Sequence, residues 1–341
     1  MKSNRRYIIT AIMVVLIAAF LTGFRLPYYI YQPGSADALN PVVSVEGGYD
    51  SEGDMHLVTV RGGQATPIQY LLAMVRPFHQ IYPLEEIRPE GISESEYFHA
   101  QLQMMESSQE AAKVVAYEAA DKQIEITYKG VYVMGLLEGM PANDKLEPGD
   151  RIIKVDDTKV EKSQDLIEYV EGKEAGDKVQ LTLQRGGKEM TKEVALAQFP
   201  EQPEKLGVGI SLVTDRDVEV DPETNFSSGE IGGPSAGLMF SLEIYDQLTE
   251  EDLTKGYQVA GTGSISYEGE IGRIGGIDKK VVAAHEDGCD IFFAPNEGGK
   301  DNSNYEEAKA AAEKIETSMK IVPVDNFEDA LNYLEELDGK A

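Results

Sequence analysis

Residues Tyr7 to Phe24 run without a single charge, and no other stretch leaves the backbone so few choices. Eighteen apolar or small residues in a row can satisfy their own amides and carbonyls across a membrane only as a helix. Lys2, Arg5 and Arg6 precede the run, Arg25 closes it, and Tyr28, Tyr29 and Tyr31 stand just beyond, as in an aromatic interfacial belt. The charged leading flank argues against a buried core helix. No small-x-small cleavage site lies between the run and Pro27, which favours an uncleaved anchor over a removed secretion signal. Because the positive residues come first, the amino terminus is expected in the cytoplasm and the body of the chain outside it, at the cell membrane.

Composition narrows what that body does. The length of 341 residues suggests two or three domains. The net charge of −29 speaks against nucleic acid, and against adhesion of the soluble part to anionic lipid. The one cysteine, Cys289, cannot close a disulfide within the chain and reads as a small core residue. No G-x-x-x-x-G-K-[ST] loop and no HExxH or other metal cluster occurs, so neither nucleotide, metal nor other cofactor is expected.

Chemistry concentrates at Gly232-Gly233-Pro234-Ser235-Ala236-Gly237, which runs into the apolar segment Leu238 to Ile244. A serine at a glycine-flanked turn into a helix exposes its hydroxyl at the positive end of the dipole. The amides from Gly233 to Ala236, Pro234 having none, are candidate donors to an oxyanion. Serine needs a base. His56, His79, His99 and His285 stand in no recognisable triad, although His285 leaves a histidine-dependent alternative. Forty-five residues after Ser235 comes Lys280, in Gly275-Gly276-Ile277-Asp278-Lys279-Lys280. With Ile277, Val281, Ala284 and Gly288 on one helix stripe, Lys280 borders the buried side and Lys279 faces solvent. A lysine serves as base only where desolvation lowers its pKa, so Lys280 is the better choice.

Both segments resemble the proteolytic domain of Lon proteases, Ser-Lys peptidases that read G-P-S-A-G around the nucleophile and G-G-x-x-x-K around the base. The resemblance spans roughly Val218 to Pro295. It implies Ser235 as nucleophile, Lys280 as base and, from Gly261-Thr262-Gly263, Thr262 as a supporting hydroxyl beside Gly233 and Ala236. The ATP-driven unfoldase of that family is missing from these residues, so the implied substrates are short, flexible or partly unfolded polypeptides, secreted or single-span. The opening strands Val42 to Val60 and the segment Met105 to Ala112 faintly resemble the start of the same fold.

A second unit, Gly130 to Leu196, carries Leu146-Glu147-Pro148-Gly149-Asp150-Arg151-Ile152-Ile153-Lys154-Val155 and resembles a PDZ domain. That resemblance implies capture of an extended peptide beside Lys129, Gly130, Val131 and Tyr132, against a helix presenting Leu166, Ile167 and Val170. The expected organisation is an anchor and short stalk over 1–34, an N-terminal segment over 35–120, a PDZ domain over 121–200 and a Lon-type α/β proteolytic domain over 201–341. Capture through an insert in a protease fold would couple the two. The competing reading is an anchored scaffold or chaperone whose protease-like part is inactive.

Overall fold

The computed structural model describes residues 2–88, 93–200, 202–229 and 231–340. The side chains of residues 2–5 and 96 are outside that description, and with them Lys2 and Arg5. In chain order the first part forms α1 (Lys2–Gly23), β1 (Tyr28–Ala38), β2 (Val43–Val45), β3 (Asp54–Gln64), α2 (Pro67–Ala73), β4 (Gln80–Pro83), α3 (Leu84–Ile87) and α4 (Glu94–Ala119). The middle part forms β5 (Gln123–Leu136), β6 (Arg151–Val155), β7 (Thr158–Lys159), α5 (Ser163–Glu171), β8 (Lys178–Arg185), β9 (Lys188–Ala195), β10 (Ala197–Phe199), β11 (Gln202–Gly207) and β12 (Ile210–Asp221). The last part forms β13 (Thr224–Phe226), α6 (Gly237–Leu248), β14 (Gln258–Gly261), β15 (Ser264–Ile265), β16 (Ile271–Gly272), α7 (Ile277–Glu286), β17 (Ile291–Pro295), α8 (Asn304–Lys314), β18 (Lys320–Val324) and α9 (Phe327–Glu335).

Contacts divide the chain into two compact units, residues 1–124 with 220–341, and residues 125–219. In the first, a six-stranded sheet has the order β18-β17-β14-β3-β1-β4. From β18 to β3 neighbours are parallel, whereas β1 is antiparallel to β3 and to β4. The period-2 alternation of strands sends side chains to two cores. Met55, Leu57, Val259, Ile291 and Phe293 meet α6, α9 and the buried face of α4, while Val58, Ala260, Phe292 and Ala294 meet α7 and α8. A strand buried on both faces reads as an unbroken apolar run, which is what Ile291-Phe292-Phe293-Ala294-Pro295 is.

The stalk expected around Pro33-Gly34-Ser35 is instead part of β1, bulged where it pairs with β3. Gly34 passes so close to the Thr59 carbonyl that any Cβ would collide with it. The second unit is a sheet ordered β12-β5-β6-β8-β9, with β7 beside β6. Its core gathers Val131, Val133, Ile152, Val155, Leu166 and Leu181. This unit ends at Glu219 and not at residue 200, because β12 hydrogen-bonds to β5 and closes the sheet.

Candidate active site

The loop that carries Ser235 is built by close approach. Gly233 has φ +93°, and a Cβ on Gly237 would meet Ile265 and the Ser108 hydroxyl at 2.7 and 2.8 Å, so helix α6 can pack this tightly only from a glycine. Ser235 sits two residues before α6, half-buried, near the C-terminal end of β14. Across from it, Gly276 at φ +71° turns the chain into α7, whose residues Ile277 and Lys279 to Ala284 are all buried.

Lys280 is 2 % exposed. Its Nζ donates to Ser235 Oγ at 2.7 Å and to Thr262 Oγ1 at 2.8 Å. Both partners are hydroxyls, and burial draws its pKa down from 10.5 to about 7. At neutral pH a large fraction is therefore unprotonated and able to take the serine proton. Thr262 Oγ1 in turn donates to the Ser235 carbonyl at 2.9 Å, so one hydroxyl fixes both the amine and the backbone that bears the nucleophile.

Lys279 is not on a solvated face, as the helix stripe had suggested. It is fully buried, because α7 is packed by β1 and β3 on one side and by α8 on another. What separates the two lysines is company: Lys279 Nζ binds the Asp278 carboxylate at 3.0 Å and the Gln80 side-chain oxygen at 2.7 Å. His285 is exposed near the end of the same helix, and His56 is held between the Ala36 carbonyl and Gln258.

Backbone pins decide which amides are available to an oxyanion. The Gly233 N–H donates to the Gln101 carbonyl at 2.8 Å, so this expected donor is committed elsewhere. The Pro234 carbonyl accepts from Ser108 Oγ at 3.0 Å, and the Ser235 carbonyl from Thr262 Oγ1 and from Gly263 N–H at 3.0 Å. In a planar trans peptide the carbonyl and the next N–H point opposite ways. Pinning those two carbonyls therefore turns the amides of Ser235 and Ala236 away from Ser108 and from Thr262, respectively, at the mouth of α6. Ser108, on α4, was missed from sequence. Its signal is the buried member of the Ser107-Ser108 pair, one turn ahead of the small residues Ala111 and Ala112 on the core side of α4.

The peptide groove of the second unit is not where the sequence reading put it. Strand β5 has β6 on one side and β12 on the other, so it offers no edge. Lys129 forms an ion pair with Asp217, Gly130 backs onto the Ile152 carbonyl, Val131 is in the core and the Tyr132 hydroxyl accepts from Arg151 at 2.6 Å. Leu166, Ile167 and Val170 do line a groove, of about 600 Å³, whose other wall is Phe199, Leu206 and Ile210. The edge strand is β12, entered through Gly207-Val208-Gly209, with Gly209 at φ +87° pressed on Met140. Two glycines around a valine, ahead of an alternating strand, were the overlooked signal. Among the described residues, no group of three or more His, Cys, Asp or Glu side chains is arranged to hold a metal ion.

Comparison with known proteins finds two domain families in the chain. The model of the Lon protease (S16) C-terminal proteolytic domain matches residues 166–336, half of the chain, and that of the PDZ domain matches residues 102–196. Lon protease of the Aster yellows witches'-broom phytoplasma is 28% identical over 141 residues, 41% of this chain and 16% of that protein. Lon protease of Buchnera aphidicola is 30% identical over 139 residues, 41% and 17% of the two chains. The chain thus spans less than a fifth of the length of these relatives. The PDZ domain of the SdrC-like protein from Listeria monocytogenes is 36% identical and covers 26% of this chain and 93% of its own, with a TM-score of 0.24.

Proposed function

Because this chain belongs to the Lon protease (S16) family through its C-terminal proteolytic domain, we propose that it is a serine endopeptidase working through a Ser235–Lys280 dyad. The observation that carries the reading is the buried amine of Lys280, 2.7 Å from Ser235 Oγ and bonded, among the described residues, to two hydroxyls. Neutral Lys280 takes the proton of Ser235 as Oγ attacks a peptide carbonyl, and the amides of Ser235 and Ala236 bind the oxygen as it gains charge. The ammonium then gives its proton to the departing amine. Neutral again, Lys280 takes a proton from a water that attacks the acyl-enzyme carbonyl. It passes that proton to Ser235 Oγ as the ester bond breaks and the acid product leaves. Thr262 holds the amine and the nucleophile backbone in register.

The run Arg6–Gly23 supports anchoring, being a helix long and apolar enough to span a bilayer, with none of its residues buried in the fold. On this reading the amino terminus is cytoplasmic and the proteolytic body lies outside, where sharing a membrane raises the effective concentration of small secreted or single-span polypeptides. The groove between α5 and β12 suits an extended segment added to the β12 edge. With no phosphate-binding loop in these residues, hydrolysis is ATP-independent and limited to chains that need no unfolding.

The test compares wild type with Ser235→Ala and Lys280→Ala in native membranes, by mass spectrometry of shed peptides and retained small membrane proteins. Loss of the same peptides in both variants, with an uncut precursor accumulating, is expected. An unchanged profile in both would sink the peptidase and leave an anchored scaffold that binds through the β12 groove.

A further inference from the structure

Resting on the reading of α1 as a membrane anchor, we propose that α2 is a second, interfacial membrane contact that seats the proteolytic unit on the headgroups of an anionic phospholipid bilayer. α2 starts firmly: Thr66 and Gln69 form a reciprocal cap, with Pro67 in the first turn. One face is used in the fold, where Ala73 and Tyr70 pack with Leu26, Tyr28, Ile30 and Ile81. The other face carries Ile68, Leu71, Leu72 and, in the following turn, Val75, at i, i+3, i+4 and i+7. These are 40, 59, 41 and 78 % exposed, and Met74 beside them is 66 % exposed. A soluble surface has no reason to present five large apolar side chains on one short element.

Position identifies the occupant. α1 touches α2, and Leu21 is half-buried whereas the other described side chains of α1 are exposed. The junction is tied down: Leu26 N–H donates to the Ala65 carbonyl at 2.8 Å, Arg25 to the Gln64 carbonyl at 2.9 Å and Gln64 to the Leu26 carbonyl at 3.0 Å. The apolar face of α2 therefore lies at the level where the span ends, the depth at which interfacial helices bury their apolar side.

Charge agrees, although the whole-chain sum of −29 conceals it. Sixty acidic residues are present, yet none falls in residues 1–36 or 55–84, the two segments that build α1, α2, β4 and nearly all of β1 and β3. In their place stand Arg25, Arg61 and Arg76, all exposed. Arg61, Arg76, His79, Gln69 and Leu72 line a cavity of about 200 Å³. A cationic cleft beside an apolar helix face is the pairing that a phospholipid, with its phosphate above its acyl chains, would fill.

The chain contains no tryptophan, so single tryptophans report without background. Full-length Leu71→Trp, Val75→Trp and Ile17→Trp are reconstituted in anionic phosphatidylglycerol vesicles with and without acyl-chain bromines. With α2 at an interfacial depth of roughly 5–10 Å, emission of all three should be blue-shifted and fall about twofold or more with brominated lipid. Quenching of Ile17→Trp with water-like emission from Leu71→Trp and Val75→Trp would overturn the docking of α2 and leave the anchor intact. No quenching of Ile17→Trp would remove the anchor reading and this one with it. Blue-shifted but unquenched emission at positions 71 and 75 would mean that protein, such as a second copy, covers the face, and would also overturn the proposal. All substituted side chains are exposed, so none is needed for folding.

Discussion

Two lysines stand side by side at the start of α7, both withdrawn from water, and their partners give them opposite duties. Lys280 keeps company with hydroxyls and sheds its proton near neutrality; Lys279 keeps a carboxylate. If Lys280 is the base, kcat/KM should climb through about pH 7 and level off one unit higher, and a profile flat across pH 6–8 would speak against it. The same burial costs stability. Unfolded, Lys280 regains a pKa near 10.5, so between pH 7 and 10.5 the unfolded chain holds a proton that the folded chain lacks. Folding is penalised in full below pH 7, and the penalty fades as pH rises toward 10.5. Lys280→Met should therefore be inactive yet more stable at pH 7 by about 2–4 kcal/mol, with the gain shrinking at alkaline pH in urea melts. Lys279→Met should lose about 1–2 kcal/mol, since Asp278 stays partly solvated.

At the scale of elements, α4 and α6 hold the nucleophile loop between them. Ser108 bonds the Pro234 carbonyl and Gln101 the Gly233 amide, so α4 sets the orientation of the amides offered to an oxyanion. Ser108→Ala is expected to lower kcat by roughly tenfold with KM nearly unchanged, less than the loss of an oxyanion donor itself. Two turns along α6, Glu243 is buried beside Asp246 and Asp54, and burial raises its pKa to about 7. Its folded form prefers the proton, so it destabilises increasingly from pH 4.5 to 7 and by a constant amount above. Glu243→Gln should raise the urea midpoint at pH 8, equivalent to about 1–3 kcal/mol, and should have no effect at pH 4.

What the sequence disclosed at this scale was local. The turn into α6, the helix Ser163–Glu171 and the strand Ile291–Pro295 follow from glycine placement and from periodicity within a few residues. The approach of Ser235 to Lys280 was legible from two short motifs and their order. Burial of Lys279 was not, because a helix wheel sees one packing face whereas α7 has neighbours on several sides. The groove was misplaced for a related reason: that β12 pairs with β5 is a fact of strand order, which no local pattern records.

At the scale of the molecule, the unit that holds Ser235 and Lys280 is assembled from both ends of the chain. Residues 1–124 contribute β1, β3 and α4, residues 220–341 contribute Ser235 and Lys280, and β3 pairs directly with β14, the strand that ends one residue before Thr262. The arrangement explains why the first 120 residues carried so weak a signal by themselves: β1, β3 and β4 complete a sheet whose other strands, β14, β17 and β18, come more than 100 residues later. If the groove supplies capture alone, Leu166→Glu with Ile210→Glu should raise KM for long polypeptides about tenfold and leave cleavage of a short peptide unaltered.

The strands β5 and β12, through which the chain enters and leaves the second unit, are neighbours in one sheet. Entry and exit are thus about one strand spacing, roughly 5 Å, apart. In the vocabulary of gene architecture, residues 125–219 form a cassette with both splice points at a single doorway. A recombination event could exchange this module, or replace it by a tight turn, without lengthening any path in the first unit. Specificity and chemistry in such a chain are free to evolve on separate clocks.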